Sequence, residues 1–140
     1  MREFQRSAIY RAEKRFWDLN CGVLPVYDTI AEVEAEVLRL ANLFPQYPIL
    51  KTIVCKPGQA RSRACYKPEQ NAICIIKSQR TQPTIIHEVC HAIASNISEP
   101  WHGVTFAKRT LELTRTALGE EFYSELKLYY DEEGVRYDTD

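Results

Sequence analysis

The stretch "TQPTIIHEVCHAIASNISEPWHG", residues 81–103, contains all 3 histidines of the chain. His87 and His91 are four residues apart, so on a helix they share one face about one turn from each other. This geometry suits two nitrogen ligands on one tetrahedral zinc ion. Glu88 lies beside His87, where its carboxylate can reach an activated water without acting as a ligand. The segment HEVCH therefore predicts a metal site with Glu88 as general base.

A catalytic zinc needs a third protein ligand and one open position. His102 is the main candidate, because the turn SNISEP lets the chain reverse and a glycine follows the histidine. Glu99, in the same turn, is the rival third ligand. Cys90 also has metal-binding chemistry, but its place on an apolar stripe predicts a packed core position. We expect one Zn2+ ion, held by His87, His91 and His102.

Apolar residues at helical spacing predict helices on both sides of this motif. The HEVCH helix begins with Thr81 as a cap and Pro83 in its first turn, and it ends at SNISEP. A further helix runs from about Gly103 to Gly119, followed by a last helix over EEFYSELKLYY. Upstream, we expect a helix over residues 3–18 and another that starts at a capping box and ends near residue 43.

Three segments between these helices are rich in β-branched residues and bounded by prolines or polar turns: ILKTIVCK (49–56), RACYK (63–67) and NAICIIK (71–77). They predict a small three-stranded mixed sheet packed against about four to five helices, an α+β fold. At 140 residues the chain is predicted to be a single domain, 1–140, with residues 131–140 as a flexible acidic tail.

The overall composition points to a folded domain without a charge-driven partner. The hydrophobic fraction is 45% and the formal net charge is -1. Residues 51–80 are locally basic, and four of them are candidate substrate or phosphate contacts: Arg61, Arg63, Lys67 and Lys77. A weak nucleic-acid contact through this segment is one interpretation. A solvated hairpin rim is the favoured one, because no aromatic stacking pattern accompanies the charges.

The 5 cysteines include no CxxC pair, and the N-terminal residues include no apolar signal-peptide region. We expect a reduced, cytoplasmic protein with buried thiols, without a membrane span and without a second zinc site. The sequence does not indicate an oligomeric state.

The residues HEVCH, followed after ten residues by HGVTF, resemble the SprT-like (Spartan-like) zinc metallopeptidases. This resemblance covers roughly residues 72–118. The opening REFQRSAIYRAE is similar to that of a group of small metallohydrolases with the same core, which extends it over most of the chain. The resemblance implies a minimal zincin fold with NAICIIK as the edge strand, to which a peptide substrate adds by backbone hydrogen bonds. It also implies the same zinc ligands and the same base, Glu88.

The leading functional prediction is hydrolysis of peptide bonds in a protein or peptide substrate. The donor that stabilises the oxyanion is not identified, and four tyrosines are candidates: Tyr66, Tyr123, Tyr129 and Tyr130. The chain lacks the additional cysteine pairs and DNA-binding modules of full-length SprT and Spartan proteins, so cleavage of DNA-crosslinked proteins does not follow from the resemblance.

Two alternatives stay open. In a deformylase-like hydrolase, Cys74 would be the third ligand, although NAICIIK lacks the upstream motif of that class and His102 would be left idle. In a catalytically degraded zincin-fold domain, the metal would be structural and the domain would bind DNA or a protein partner. Glu88 favours catalysis, because a structural site does not need a base beside it.

Overall fold

The computed structural model describes residues 5–46, 53–57, 63–94 and 101–138. Within these residues it contains five α-helices and a three-stranded mixed sheet, which confirms the α+β class and the predicted sheet. The chain divides into two compact units, one formed by Met1–Val23 and Asn96–Asp140 and the other by Leu24–Ser95. Organisation as a single domain stays a prediction. No helix in the described residues is both long and apolar enough to cross a bilayer.

The first unit contains three helices: α1 (Arg6–Asn20), α4 (Val104–Leu118) and α5 (Glu120–Glu133). Both α1 and α4 pack against α5. Helix α4 lies between Gly103 and Gly119, as predicted, and Gly119 has a φ of 103°, a conformation that side chains disfavour. The buried apolar residues of this unit include Ile9, Phe16, Phe106 and Leu113.

Polar contacts also join α1 to α5. Asn20 donates from Nδ2 to the carboxylate of Glu125 at 2.9 Å, and the guanidinium of Arg15 lies 4.4 Å from the ring centroid of Tyr129. Helix α5 extends to Glu133, so the first residues of the predicted tail are helical. Beyond the helix, Val135 is buried, and the side chain of Gln5 exchanges two hydrogen bonds with the backbone of residue 136.

The second unit contains α2 (Ile30–Leu43), three strands and α3 (Gln82–Ala94). The strands are β1 (Val54–Pro57), β2 (Cys65–Lys67) and β3 (Ala72–Ile75). Helix α2 packs against β1 and α3, and α3 packs against β2. Helix α2 begins as predicted, with the Thr29 hydroxyl accepting from the backbone N–H of Glu32 at 3.2 Å. The carboxylate of Glu32, however, accepts from the N–H of residue 28 rather than from that of the cap.

The strand order is β1-β3-β2, with β3 parallel to β1 and antiparallel to β2. The expectation that NAICIIK forms the edge strand is therefore wrong, because β3 is the central strand. All four β3 residues are buried, as expected for a strand with neighbours on both sides and packing on both faces. Within the described residues, β1 and β2 are the edge strands. Residues 49–52 of the first predicted strand lie outside the described residues.

Candidate metal centre

The start of α3 is fixed by the connector that precedes α2. The backbone N–H of Gln82 donates to the carbonyl of Pro25 at 3.1 Å, and the N–H of Tyr27 donates to the carbonyl of Arg80 at 2.7 Å. The hydroxyl of Thr81 accepts from the N–H of Thr84 at 3.3 Å, which supports its predicted role as helix cap. The connector and the cap together hold the first turn of the helix that carries HEVCH.

A polar group built around the buried residues Glu36 and Gln82 lies at the same end of α3; with the half-buried Tyr27 and the exposed Arg39 we call it the Glu36 cluster. The guanidinium of Arg39 donates to both carboxylate oxygens of Glu36, at 2.6 and 2.7 Å. Gln82 donates from Nε2 to the same carboxylate at 2.9 Å. Burial and the Glu36 carboxylate, which accepts a hydrogen bond from the phenol, raise the pKa of Tyr27 to about 12. These contacts connect α2 directly to the first turn of α3.

Further along α3, His87 and His91 lie one turn apart, with ring centroids separated by 4.9 Å and planes inclined by 74°. Both are buried, and so is Glu88, which is 5% exposed. Every residue from Ile85 to Ala92 is in fact buried. The histidines are therefore buried although they lie away from the predicted apolar stripe through Ile86 and Cys90, because this part of the helix is covered on all sides.

His102 lies immediately before the first turn of α4 and is 3% exposed. Its ring meets the rings of two aromatic residues edge-on. The centroid of Phe106 is 5.1 Å away and that of Tyr10, on α1, is 5.3 Å away. The i,i+4 spacing of Phe106 was a usable sequence signal for this contact. Tyr10 is distant in sequence, so nothing in its local pattern indicated that it helps to hold His102.

One ring nitrogen from each of His87, His91 and His102 can be chosen so that all three atoms lie within 4.8 Å of one another. We call these residues the histidine cluster, and they could hold a metal ion. Three nitrogens on a tetrahedral zinc, at about 2.0–2.1 Å each, are about 3.3 Å apart, which lies within the same range. Neutral imidazoles are suitable donors for zinc and for other first-row transition metals.

The other predicted site residues lie elsewhere or outside the described residues. Cys90 is buried and is not a member of the cluster, whereas Glu99 and Arg61 lie outside the described residues. Arg63 and Lys77 are exposed and Lys67 is half-buried. Contact of this segment with nucleic acid stays a prediction.

The four candidate tyrosines have structural contacts within their own units. Tyr66 donates to Oδ1 of Asn71 at 2.6 Å. The ring of Tyr123 lies 4.0 Å from the guanidinium of Arg115, the hydroxyl of Tyr129 is 3.4 Å from a Glu125 oxygen, and Tyr130 is fully buried. None of these observations identifies the oxyanion donor.

The comparisons with known proteins do not assign a family. The chain matches no family model, no curated protein and no solved structure. The similarity to SprT-like metallopeptidases therefore stays an expectation from the motif.

Proposed function

We propose that this protein is a zinc-dependent hydrolase of peptide bonds. The observation that carries the proposal is the convergence of the histidine cluster, with ligand nitrogens within 4.8 Å of one another, and the buried Glu88 follows His87 directly on α3. Three neutral nitrogen donors match a zinc site that keeps its fourth position for water or substrate.

The three histidines would hold the ion, and the Tyr10 and Phe106 rings would keep His102 oriented toward it. Bound zinc polarises a carbonyl group and lowers the pKa of a coordinated water to about 7. Glu88 would accept the proton of the attacking water on its carboxylate and then deliver it to the nitrogen of the leaving amine. Because Glu88 is 5% exposed, little bulk water competes for that proton.

A structural metal in a non-catalytic domain is the second candidate, and one observation favours it. All three histidines are at most 5% exposed, and closed structural zinc sites are buried in this way. The glutamate that follows His87 favours catalysis, because a structural site does not need a base beside it. The two functions differ in whether Glu88 is required for turnover or only for packing.

The test is Glu88→Gln, which keeps the shape of the side chain and removes its basicity. We expect bound zinc, measured by elemental analysis, to match the wild type. Hydrolysis of an unstructured protein such as casein should fall by at least about 100-fold. Glu112→Gln, on the partly exposed surface of α4, is the matched control and should leave both quantities unchanged.

Two outcomes would count against the proposal. If Glu88→Gln retains zinc and also retains full hydrolysis, Glu88 is not the base. If the wild type binds zinc tightly but cleaves no protein or peptide, the structural-metal alternative is the better account.

A further inference from the structure

Two cysteines lie directly opposite each other in the sheet. In the antiparallel pairing of β2 with β3, Cys65 is the partner of Cys74. Both carry reduced thiols, and neither takes part in the proposed hydrolysis. Cys65 is half-buried and Cys74 is 8% exposed, so Cys65 is the more accessible of the two.

The register satisfies the distance requirement for a disulfide. Directly opposed residues of an antiparallel pair have Cα atoms about 4.5 or 5.5 Å apart, depending on whether they exchange hydrogen bonds. Disulfides need a Cα separation of about 4.4–6.8 Å. Opposed side chains also project from the same face of the sheet, so either pairing type can be bridged without moving the strands apart.

Cys55 on β1 provides an internal contrast. Its partner on β3 is Ile73, the neighbour of Cys74 in sequence, so the side chains of Cys55 and Cys74 project from opposite faces. Burial is the main cause that raises the pKa of the Cys55 thiol to about 11, and the nearby Glu34 carboxylate adds to it. Cys55 is thus close to Cys74 along the sheet but poorly placed and poorly reactive toward it.

The face that carries the cysteine pair also carries two lysines. Lys56 is the β1 partner of Cys74, and Lys67 lies two residues after Cys65 on the same strand. Lys56 is exposed and Lys67 is half-buried. Their ammonium groups would attract an anionic oxidant to the accessible thiol.

We propose that Cys65 and Cys74 are a redox-active pair that forms a reversible cross-strand disulfide, with an acidic low-molecular-weight disulfide such as glutathione disulfide as oxidant. The inference does not depend on the proposed hydrolysis. It requires only the register of β2 and β3, and it adds a covalent link between the strand that packs against α3 and the centre of the sheet.

The reaction consists of two thiol–disulfide exchanges. The Cys65 thiolate attacks one sulfur of the oxidant, forming a mixed disulfide and releasing one glutathione thiolate. The Cys74 thiolate then attacks the sulfur of Cys65, which forms the protein disulfide and releases the second glutathione. The protein loses two electrons and two protons, and the oxidant gains them as two molecules of reduced glutathione.

Peptide mapping of the full-length protein tests this directly. The reduced protein is equilibrated with glutathione disulfide, alkylated with N-ethylmaleimide and digested with trypsin and a glutamate-specific protease. Trypsin does not cut before Pro57 or Pro68, and the glutamate-specific protease cuts after Glu69. The strand cysteines therefore fall on three separate peptides, 52–61, 64–69 and 70–77. We expect 64–69 joined to 70–77, so that the thiols of Cys65 and Cys74 are lost to alkylation in addition to any thiol that carries glutathione.

The controls distinguish a folded cysteine pair from random oxidation. Cys21 is exposed and should carry glutathione, which shows that the oxidant acted. Cys55→Ser should keep the link, whereas Cys65→Ser should abolish it. Protein unfolded in urea before oxidation should show scattered pairings. The inference is overturned if folded wild type keeps both thiols alkylatable while Cys21 is modified, or if Cys74 is joined to Cys55; neither result requires any variant to fold.

Discussion

The two polar groups along α3 differ in what they are made of. The Glu36 cluster combines a carboxylate, a guanidinium, an amide and a phenol, and the Glu36 carboxylate accepts hydrogen bonds from Arg39 and Gln82 at 2.6 to 2.9 Å. The histidine cluster consists of three copies of one group, the imidazole, with nitrogens within 4.8 Å of one another. One group pairs a carboxylate with a guanidinium, whereas the other offers three nitrogen donors of one kind.

This difference separates a structural role from a ligand-binding one. A buried carboxylate that is paired with a guanidinium and an amide is stabilised mainly by those hydrogen bonds. Removing one partner leaves the remaining buried polar groups without a full set of hydrogen bonds, which lowers the free energy of unfolding. Three neutral imidazoles that converge on one point offer lone pairs to a common acceptor, which a divalent cation supplies. Variants of the two groups should therefore fail in different ways, one in stability and the other in metal binding.

The largest expected effect is loss of metal from His102→Ala. Removing one of three nitrogen ligands should lower zinc affinity by more than about 100-fold, since even outer-shell changes cost 10–100-fold. Competition with a chromophoric chelator measures this affinity. Cys90→Ala is the matched control. Cys90 is fully buried on α3 directly before His91, but it lies outside the histidine cluster. Wild-type zinc affinity in His102→Ala would remove the basis for grouping the three histidines.

The Glu36 cluster should show the opposite pattern. Glu36→Ala leaves the buried Gln82 without its acceptor, whereas Arg39, whose side chain is 44% exposed, can turn to solvent; we expect a loss of about 1 to 2 kcal/mol in the free energy of unfolding by urea. Gln82→Ala should cost less, because its buried Oε1 already accepts no hydrogen bond from the described residues. Zinc affinity of the folded variants should stay within about tenfold of wild type.

An exposed ion pair calibrates that measurement. Arg109→Ala removes a partly exposed pair with Glu112 at 3.1 Å and should cost less than about 1 kcal/mol. If Glu36→Ala costs no more than this control, or if it releases zinc as readily as His102→Ala, the distinction between the two clusters is wrong.

The smallest effect concerns alkaline pH. A tyrosine ordinarily ionises near 10.0, whereas burial and Glu36 raise the pKa of Tyr27 to about 12 in the folded protein. Above pH 10 the unfolded chain therefore binds fewer protons at this position than the folded one. The stability from the neutral phenol is complete below pH 10 and is lost as the pH rises toward 12. Urea unfolding across this range should show a shallower decline in Tyr27→Phe than in wild type; equal slopes would contradict the coupling to Glu36.

Local signals predicted the helices well. The cap at Thr29, the cap at Thr81 and the two glycines that flank α4 all act where the sequence placed them. Each depends on hydrogen bonds between residues a few positions apart, so the information needed is local. The pairing of His87 with His91 was predictable for the same reason.

Strand order was not predictable in this way. The apolar run of β3 was recognised as a strand, but its place between β1 and β2 depends on pairings with residues far along the chain. Burial on both faces is typical of a central strand, and the nearly continuous apolar run in NAICIIK favours that position. The family resemblance implies an edge strand instead. The contact of Tyr10 with His102 was not predictable from either segment, because the two residues are distant in sequence.

By itself the sequence determined the helices, their caps and the one-turn spacing of two histidines beside a glutamate, because backbone geometry converts i,i+4 spacing into a shared face. Only the tertiary structure decided that a third imidazole comes near them, that the whole motif is buried, and that Cys65 faces Cys74 across the sheet. These are contacts between residues brought together by packing, and their formation depends on the balance of burial and chain entropy over the fold rather than on any one segment.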